Sequence, residues 1–64
     1  MITKEQIEAA ASELFGEPVS VVIDLDYQMI SLASATRHRM IKLKRYDIDK
    51  DIADFAAERI APLV

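Results

Sequence analysis

The chain has 64 residues, of which 52% are apolar and 30% charged, so it has room for one domain (residues 1–64) with a single small core. It contains no cysteine, which excludes a disulfide framework and a cysteine-based zinc site. Its apolar runs are far shorter than the roughly 18 residues that span a bilayer, and its first residues lack a signal-peptide pattern. We therefore expect a cytoplasmic protein that makes no membrane contact.

The first predicted element is an amphipathic helix that begins after Thr3. Thr3 and Gln6 have the spacing of a capping box, in which each side chain accepts a hydrogen bond from the other residue's backbone N–H. Gly16, the only glycine, is placed to end the helix in a left-handed conformation. The predicted buried stripe follows helical spacing and consists of Ile7, Ala10, Ala11 and Leu14.

Beyond this helix the apolar period changes to two, which is typical of strands buried on one face. The first predicted strand covers residues 19–25, with Val19, Val21, Ile23 and Leu25 directed inward. A tight turn at Asp26-Tyr27 would bring the second strand back with all large aliphatic side chains on one face. The pairs that this register predicts are Ile23 with Ile30 and Val21 with Leu32.

The third strand is predicted over residues 38–46, with Ile41 and Leu43 inward. Arg39 and Arg45 occupy inner-face positions at its ends, where their long stems can reach around the rim of the core. Met40, Lys42, Lys44 and Tyr46 are predicted to point outward from this strand.

A second helix is predicted to begin within residues 47–51, with Asp47 or Asp49 as its cap, and to end near Ile60 or Ala61 because Pro62 follows. Its predicted apolar stripe consists of Ile48, Ile52, Phe55, Ala56, Ile60 and Leu63. The element order predicts an α+β fold, an α-β-β-β-α miniature domain. In it, a three-stranded antiparallel meander carries both helices on one face.

Charge is distributed unevenly along the chain. Residues 1–36 carry −5, residues 37–45 carry +5 and residues 46–64 carry −3, for a total of −3. The basic residues of the central segment are Arg37, Arg39, Lys42, Lys44 and Arg45. They would suit phosphate contact, but we favour the interpretation that charges on an edge strand discourage aggregation. Double-stranded RNA-binding domains share the element order. Those domains carry basic residues at the start of the second helix, whereas this chain is acidic there and would repel phosphate. We therefore infer no resemblance to that family.

Two other kinds of site find little support. Asp47, Asp49, Asp51 and Glu58 match part of an EF-hand loop, but Ile52 stands where the loop requires glycine, and helical periodicity explains the segment better. The sequence has one histidine and no nucleophile elbow, phosphate-binding glycine loop or metal motif. We expect no enzymatic activity, catalytic residue, metal, cofactor or small-molecule substrate.

The outer face of the predicted sheet is the feature most indicative of function. Two helices can cover only one side of the sheet, and the other side mixes methionine, valine and tyrosine with polar residues. A half-polar solvent face is the plain alternative. We predict a small acidic protein–protein interaction module, an adaptor, inhibitor or accessory subunit, whose partner is another protein or a second copy in a homodimer. The expected interface residues are Val22, Met29, His38, Met40, Lys42, Lys44 and Tyr46. The competing hypothesis is a nucleic-acid-binding module that uses the basic strand 37–45.

Overall fold

The computed structural model describes residues 2–64 except for the side chain of Ile48, whose predicted place in the apolar stripe lies outside what is described. Helix α1 spans Lys4–Phe15, and the strands are β1 (Ser20–Asp24), β2 (Met29–Ala33) and β3 (His38–Lys42). A 3₁₀ turn at Asp47–Asp49 precedes the C-terminal helical segment. The predicted α+β fold with α-β-β-β-α order is confirmed.

Both ends of α1 form as predicted. The backbone N–H of Thr3 donates to Gln6 Oε1 at 2.9 Å, and the N–H of Gln6 donates to Thr3 Oγ1 at 3.1 Å, which completes the capping box. Gly16 adopts a φ of 76° and its N–H donates to the carbonyl of Ser12 at 2.9 Å. A residue without Cβ takes this left-handed conformation at little steric cost.

The buried stripe of α1 differs from the prediction at its end. Ile7, Ala11 and Phe15, spaced four residues apart, are buried, whereas Leu14 is 38% exposed. Successive four-residue steps follow one ridge of a helix, and this ridge packs on the sheet. Phe15 is also covered by the guanidinium of Arg37, whose Cζ lies 5.1 Å from the ring centroid.

The sheet has the strand order β1-β2-β3, with antiparallel neighbours. The predicted pairs Ile23–Ile30 and Val21–Leu32 are confirmed. The turn is longer than predicted, because β1 ends at Asp24, whose Oδ1 accepts from the N–H groups of Asp26 and Tyr27 at 3.0 and 3.3 Å. Leu25 therefore lies in the turn and is 76% exposed, so its predicted inward position is wrong.

Strand β3 is shorter than the predicted 38–46 and ends at Lys42. Beyond it the N–H of Leu43 still donates to the carbonyl of Gln28 at 2.7 Å, and the chain then turns where the N–H of Lys44 donates to the carboxylate of Asp47 at 2.7 Å. Lys44, Arg45 and Tyr46 thus lie outside the strand. The prediction that Lys44 and Tyr46 point outward from the strand, and Arg45 inward, is therefore wrong.

The C-terminal helical segment begins later than predicted. Asp51, not Asp47 or Asp49, is the cap, and its Oδ1 accepts from the N–H of Asp54 at 2.9 Å. Helix α2 (Ile52–Phe55) runs into a π-helical stretch (Ala56–Ile60) and a final 3₁₀ turn (Ala61–Leu63). The helical segment therefore extends past the predicted end, with Pro62 accommodated in that last turn.

One core lies between the helices and the inner face of the sheet. It is formed by side chains of both helices and all three strands. Its buried apolar residues are Ile7, Ala11, Phe15, Val19, Val21, Ile30, Leu32, Ile41, Phe55 and Ile60.

Candidate protein-docking face

The outer face of the sheet is a three-by-three array of side chains, one column per strand. Strand register aligns them in rows, because residues two apart on a strand share a face. The first row is Ser20–Ala33–His38, the middle row is Val22–Ser31–Met40, and the third row is Asp24–Met29–Lys42.

This outer array is open to solvent. Val22 is 64% exposed and Met40 is 51% exposed, while Met29 and Ser31 between the outer columns are half-buried by their neighbours. Within residues 2–64, both α1 and the C-terminal segment pack on the opposite, inner side. The array thus presents Val22 and Met40 on either side of Ser31 in its middle row, and opposite charges at two corners, Asp24 and Lys42.

The structure places most of the predicted interface residues on the array, namely Val22, Met29, His38, Met40 and Lys42. Lys44 and Tyr46 do not belong to it, since both follow the end of β3. The ring of Tyr46 instead lies 5.2 Å from the ammonium of Lys50. The candidate docking face on the sheet therefore does not include these two residues.

The basic segment does not form one continuous surface. Arg37 lies over Phe15 at the end of α1. Arg39 donates through Nε to the carbonyl of Leu63 at 3.2 Å, on the inner side of the sheet. Lys42 is on the outer array, and the remaining two basic residues follow the strand, so the five charges of 37–45 point in several directions.

A buried ionic cluster beside the sheet was missed by sequence reasoning. The side chain of Asp47 has no exposed area and its Oδ2 accepts from Arg59 Nη1 at 2.6 Å. Its Oδ1 lies 3.3 Å from Lys50 Nζ, which also pairs with Glu58 at 2.8 Å. Arg59 in addition donates through Nη2 to the carbonyl of Lys42 at 2.6 Å. The cluster ties the C-terminal segment to the end of β3.

The electrostatics of this cluster favour its charged form. Burial raises the pKa of Asp47, but the N–H of Lys44 and the cations of Lys50 and Arg59 outweigh burial and hold that pKa below its ordinary value. Pairing with Glu58, together with Asp47, raises the pKa of Lys50. The ion pairs are therefore formed at neutral pH, and they hold the C-terminal segment against the end of β3.

Several concave surfaces of the described residues lie away from the array, one of them an open hollow of about 300 Å³ beside Leu25, Leu43 and Arg45. An apolar cavity of about 220 Å³ lies between the start of α1 and the β1–β2 turn, below the roughly 300 Å³ of usual small-molecule sites. An open groove of about 480 Å³ separates α1 from the C-terminal segment. Its walls are mostly alanine, and Leu14 and Ile52 are its largest apolar side chains.

Three further findings bear on the kind of site. None of the helices formed by residues 2–64 has both the length and the apolar character needed to cross a membrane. Over the same part of the chain, His, Asp and Glu side chains do not gather into a group of three that could hold a metal ion. Comparisons with protein-family models, with curated protein sequences and with solved structures give no significant match.

Proposed function

We propose that this protein is a non-enzymatic interaction module that binds another protein through the outer array of its sheet. The observation that carries the proposal is the exposure of Val22 and Met40 in the middle row, 64% and 51%, on a face that the helices leave open. An absence of cysteine suits a reducing compartment, and we propose that the module works in the cytoplasm.

The chemistry of the array supports protein contact. Valine and methionine in its middle row offer apolar area that a partner can exclude from water, and methionine adapts its shape to different partners. Polar side chains occupy all four corners of the array, as in the polar rim of many interfaces. With the sheet holding them, the side chains bind with little backbone rearrangement.

The test is a pair of double variants. Val22→Asp with Met40→Asp places two carboxylates in the middle of the array, where docking would bury them unpaired. We expect this variant to lose the complexes that the wild-type protein forms, either in light scattering or in pulldown from a lysate of its source. Circular dichroism should show unchanged helical content, because both positions are exposed.

The matched control carries the same charges on the other apolar surface, the groove between the helices. Leu14→Asp with Ala57→Asp should leave complex formation intact. If the control variant loses the complexes while the first variant keeps them, the docking surface is the groove and the proposal is wrong. If both double variants keep every complex, the proposal is also wrong.

A further inference from the structure

We infer that the outer array binds a second copy of this chain, with a two-fold axis parallel to the strands and passing over Ser31. This inference rests on the proposed function and names the partner of the same face. It follows from the register of the three strands, which fixes where each side chain of one copy would meet the other.

A two-fold axis along β2 exchanges the two outer columns and keeps each row in place. It therefore sets Asp24 against Lys42 of the second copy, and Lys42 against Asp24 of that copy. In the middle row, Val22 of each copy faces Met40 of the other copy, which gives two such contacts. Both charges gain a partner of opposite sign and the apolar side chains meet one another, so the array is complementary to itself.

The other stacking that keeps the strands of the two copies aligned lacks this complementarity. A two-fold axis across the strands exchanges the first and third rows, so that Asp24 would meet Ser20 and Lys42 would meet His38. That arrangement leaves the carboxylate without a cation and brings an ammonium towards an imidazole. The pattern of charges therefore selects the axis parallel to the strands.

Asp24 and Lys42 form no ion pair with each other within one copy, where Oδ1 of Asp24 accepts from the N–H groups of Asp26 and Tyr27. Asp24 and Lys42 are two strands apart with Met29 between them, which corresponds to about 9.6 Å between their backbones. Stacked sheets lie about 10 Å apart and cross at about 30°, a separation that one short and one long side chain can bridge. Flexibility in the lysine stem accommodates the crossing angle.

The size of the face sets the strength of the dimer. Three strands of five residues form a face of about 14 by 17 Å, or about 240 Å². This area is less than a third of the roughly 800 Å² per partner of a standard interface. We therefore expect a weak, reversible dimer that sedimentation equilibrium detects at high protein concentration.

Charge exchange tests the geometry directly. Asp24→Lys gives a chain with lysine at both corners, and Lys42→Asp gives a chain with aspartate at both corners. Each variant alone should dimerise at least roughly tenfold more weakly, because like charges would face each other. An equimolar mixture should recover association as a heterodimer, since every corner again meets its opposite. Circular dichroism of each variant checks folding, because Asp24 also caps the β1–β2 turn.

The matched control reverses the same charges away from the array, with Glu13→Lys and Lys44→Asp. These variants should dimerise like the wild-type protein, both alone and mixed. A wild-type chain that stays monomeric up to roughly 1 mM would overturn the inference, as would charge variants whose mixture fails to associate. If complexes with other proteins still depend on Val22 and Met40 in that case, the proposed function stands. Loss of that dependence would refute both.

Discussion

Replacing Asp47 with asparagine tests whether the buried ionic cluster holds the fold together. The substitution keeps the size of the side chain and an oxygen that can accept from the N–H of Lys44, at 2.7 Å in the native protein. It removes the negative charge that faces Arg59 at 2.6 Å and Lys50 at 3.3 Å. Two cations are then left without the buried anion that they share.

The expected cost follows from burial. Removing one partner of a fully buried pair costs about 3–5 kcal/mol. Asp47 has no exposed side-chain area, but Arg59 remains 19% exposed, so water recovers part of its solvation. We expect Asp47→Asn to lower the free energy of unfolding by about 2–3 kcal/mol. That is a large share of the roughly 3–5 kcal/mol that a core of this size supplies.

Urea denaturation followed by circular dichroism measures this change. With a slope of about 1 kcal/mol per molar urea, the midpoint should fall by about 2–3 M. Asp49→Asn is the matched control, since Asp49 is exposed in the same 3₁₀ turn, and it should stay within about 0.5 kcal/mol of the wild-type protein. A double-mutant cycle with Arg59→Met should show coupling of at least about 1 kcal/mol. Equal stability of the two asparagine variants would refute the reasoning.

Three further predictions use the same denaturation assay. The pKa of Asp47 is lower in the folded state than in the unfolded state. The stability that its charge contributes is therefore complete above about pH 5 and is lost as pH falls through the folded pKa. Below about pH 5, the free energy of unfolding of the wild-type protein should fall more steeply than that of Asp47→Asn. Gln28 has a φ of 53°, so Gln28→Gly should raise stability by up to about 1 kcal/mol, whereas Asp26→Gly in the same turn should lower it. Leu32 has 0% exposure, and Leu32→Ala should cost about 2–5 kcal/mol, against less than about 0.5 for Val22→Ala on the outer array.

Local signals in the sequence were sufficient to predict most of the fold. The capping box at Thr3 and the glycine at position 16 mark the ends of α1 through interactions that span only a few residues. The register of β1 and β2 could also be predicted, because a shift by one residue would move Ile23 and Ile30 to the solvent face. The array of outer side chains follows from the same alternation.

Features that depend on distant residues could not be predicted. Asp47 has the spacing of a helix cap, and its burial depends on Arg59, twelve positions later, which supplies the opposing charge. The turn that follows β3 depends on the same residue, because the N–H of Lys44 donates to that buried carboxylate. Phe15 is different: its four-residue spacing from Ala11 was visible in the sequence and indicates its burial.

The ionic cluster and the outer array meet at Lys42. Arg59 donates to the Lys42 carbonyl at 2.6 Å, so the buried cluster anchors the strand end from which the Lys42 side chain projects onto the array. Asp47→Asn should therefore loosen the end of β3 more than its beginning. Amide hydrogen exchange measures this, because local opening exposes N–H groups without global unfolding.

The N–H of Leu43, which donates to the carbonyl of Gln28 at 2.7 Å, should exchange faster in Asp47→Asn by more than the change in global stability explains. The N–H of Val21, which lies far from Lys42 and donates to the carboxylate of Glu8 on α1 at 3.2 Å, should change only with global stability. Uniform acceleration across the sheet would mean that the strand ladder alone positions Lys42. Selective acceleration would mean that a buried anion fixes one charged corner of the outer array, so that stability and the proposed association share a residue network.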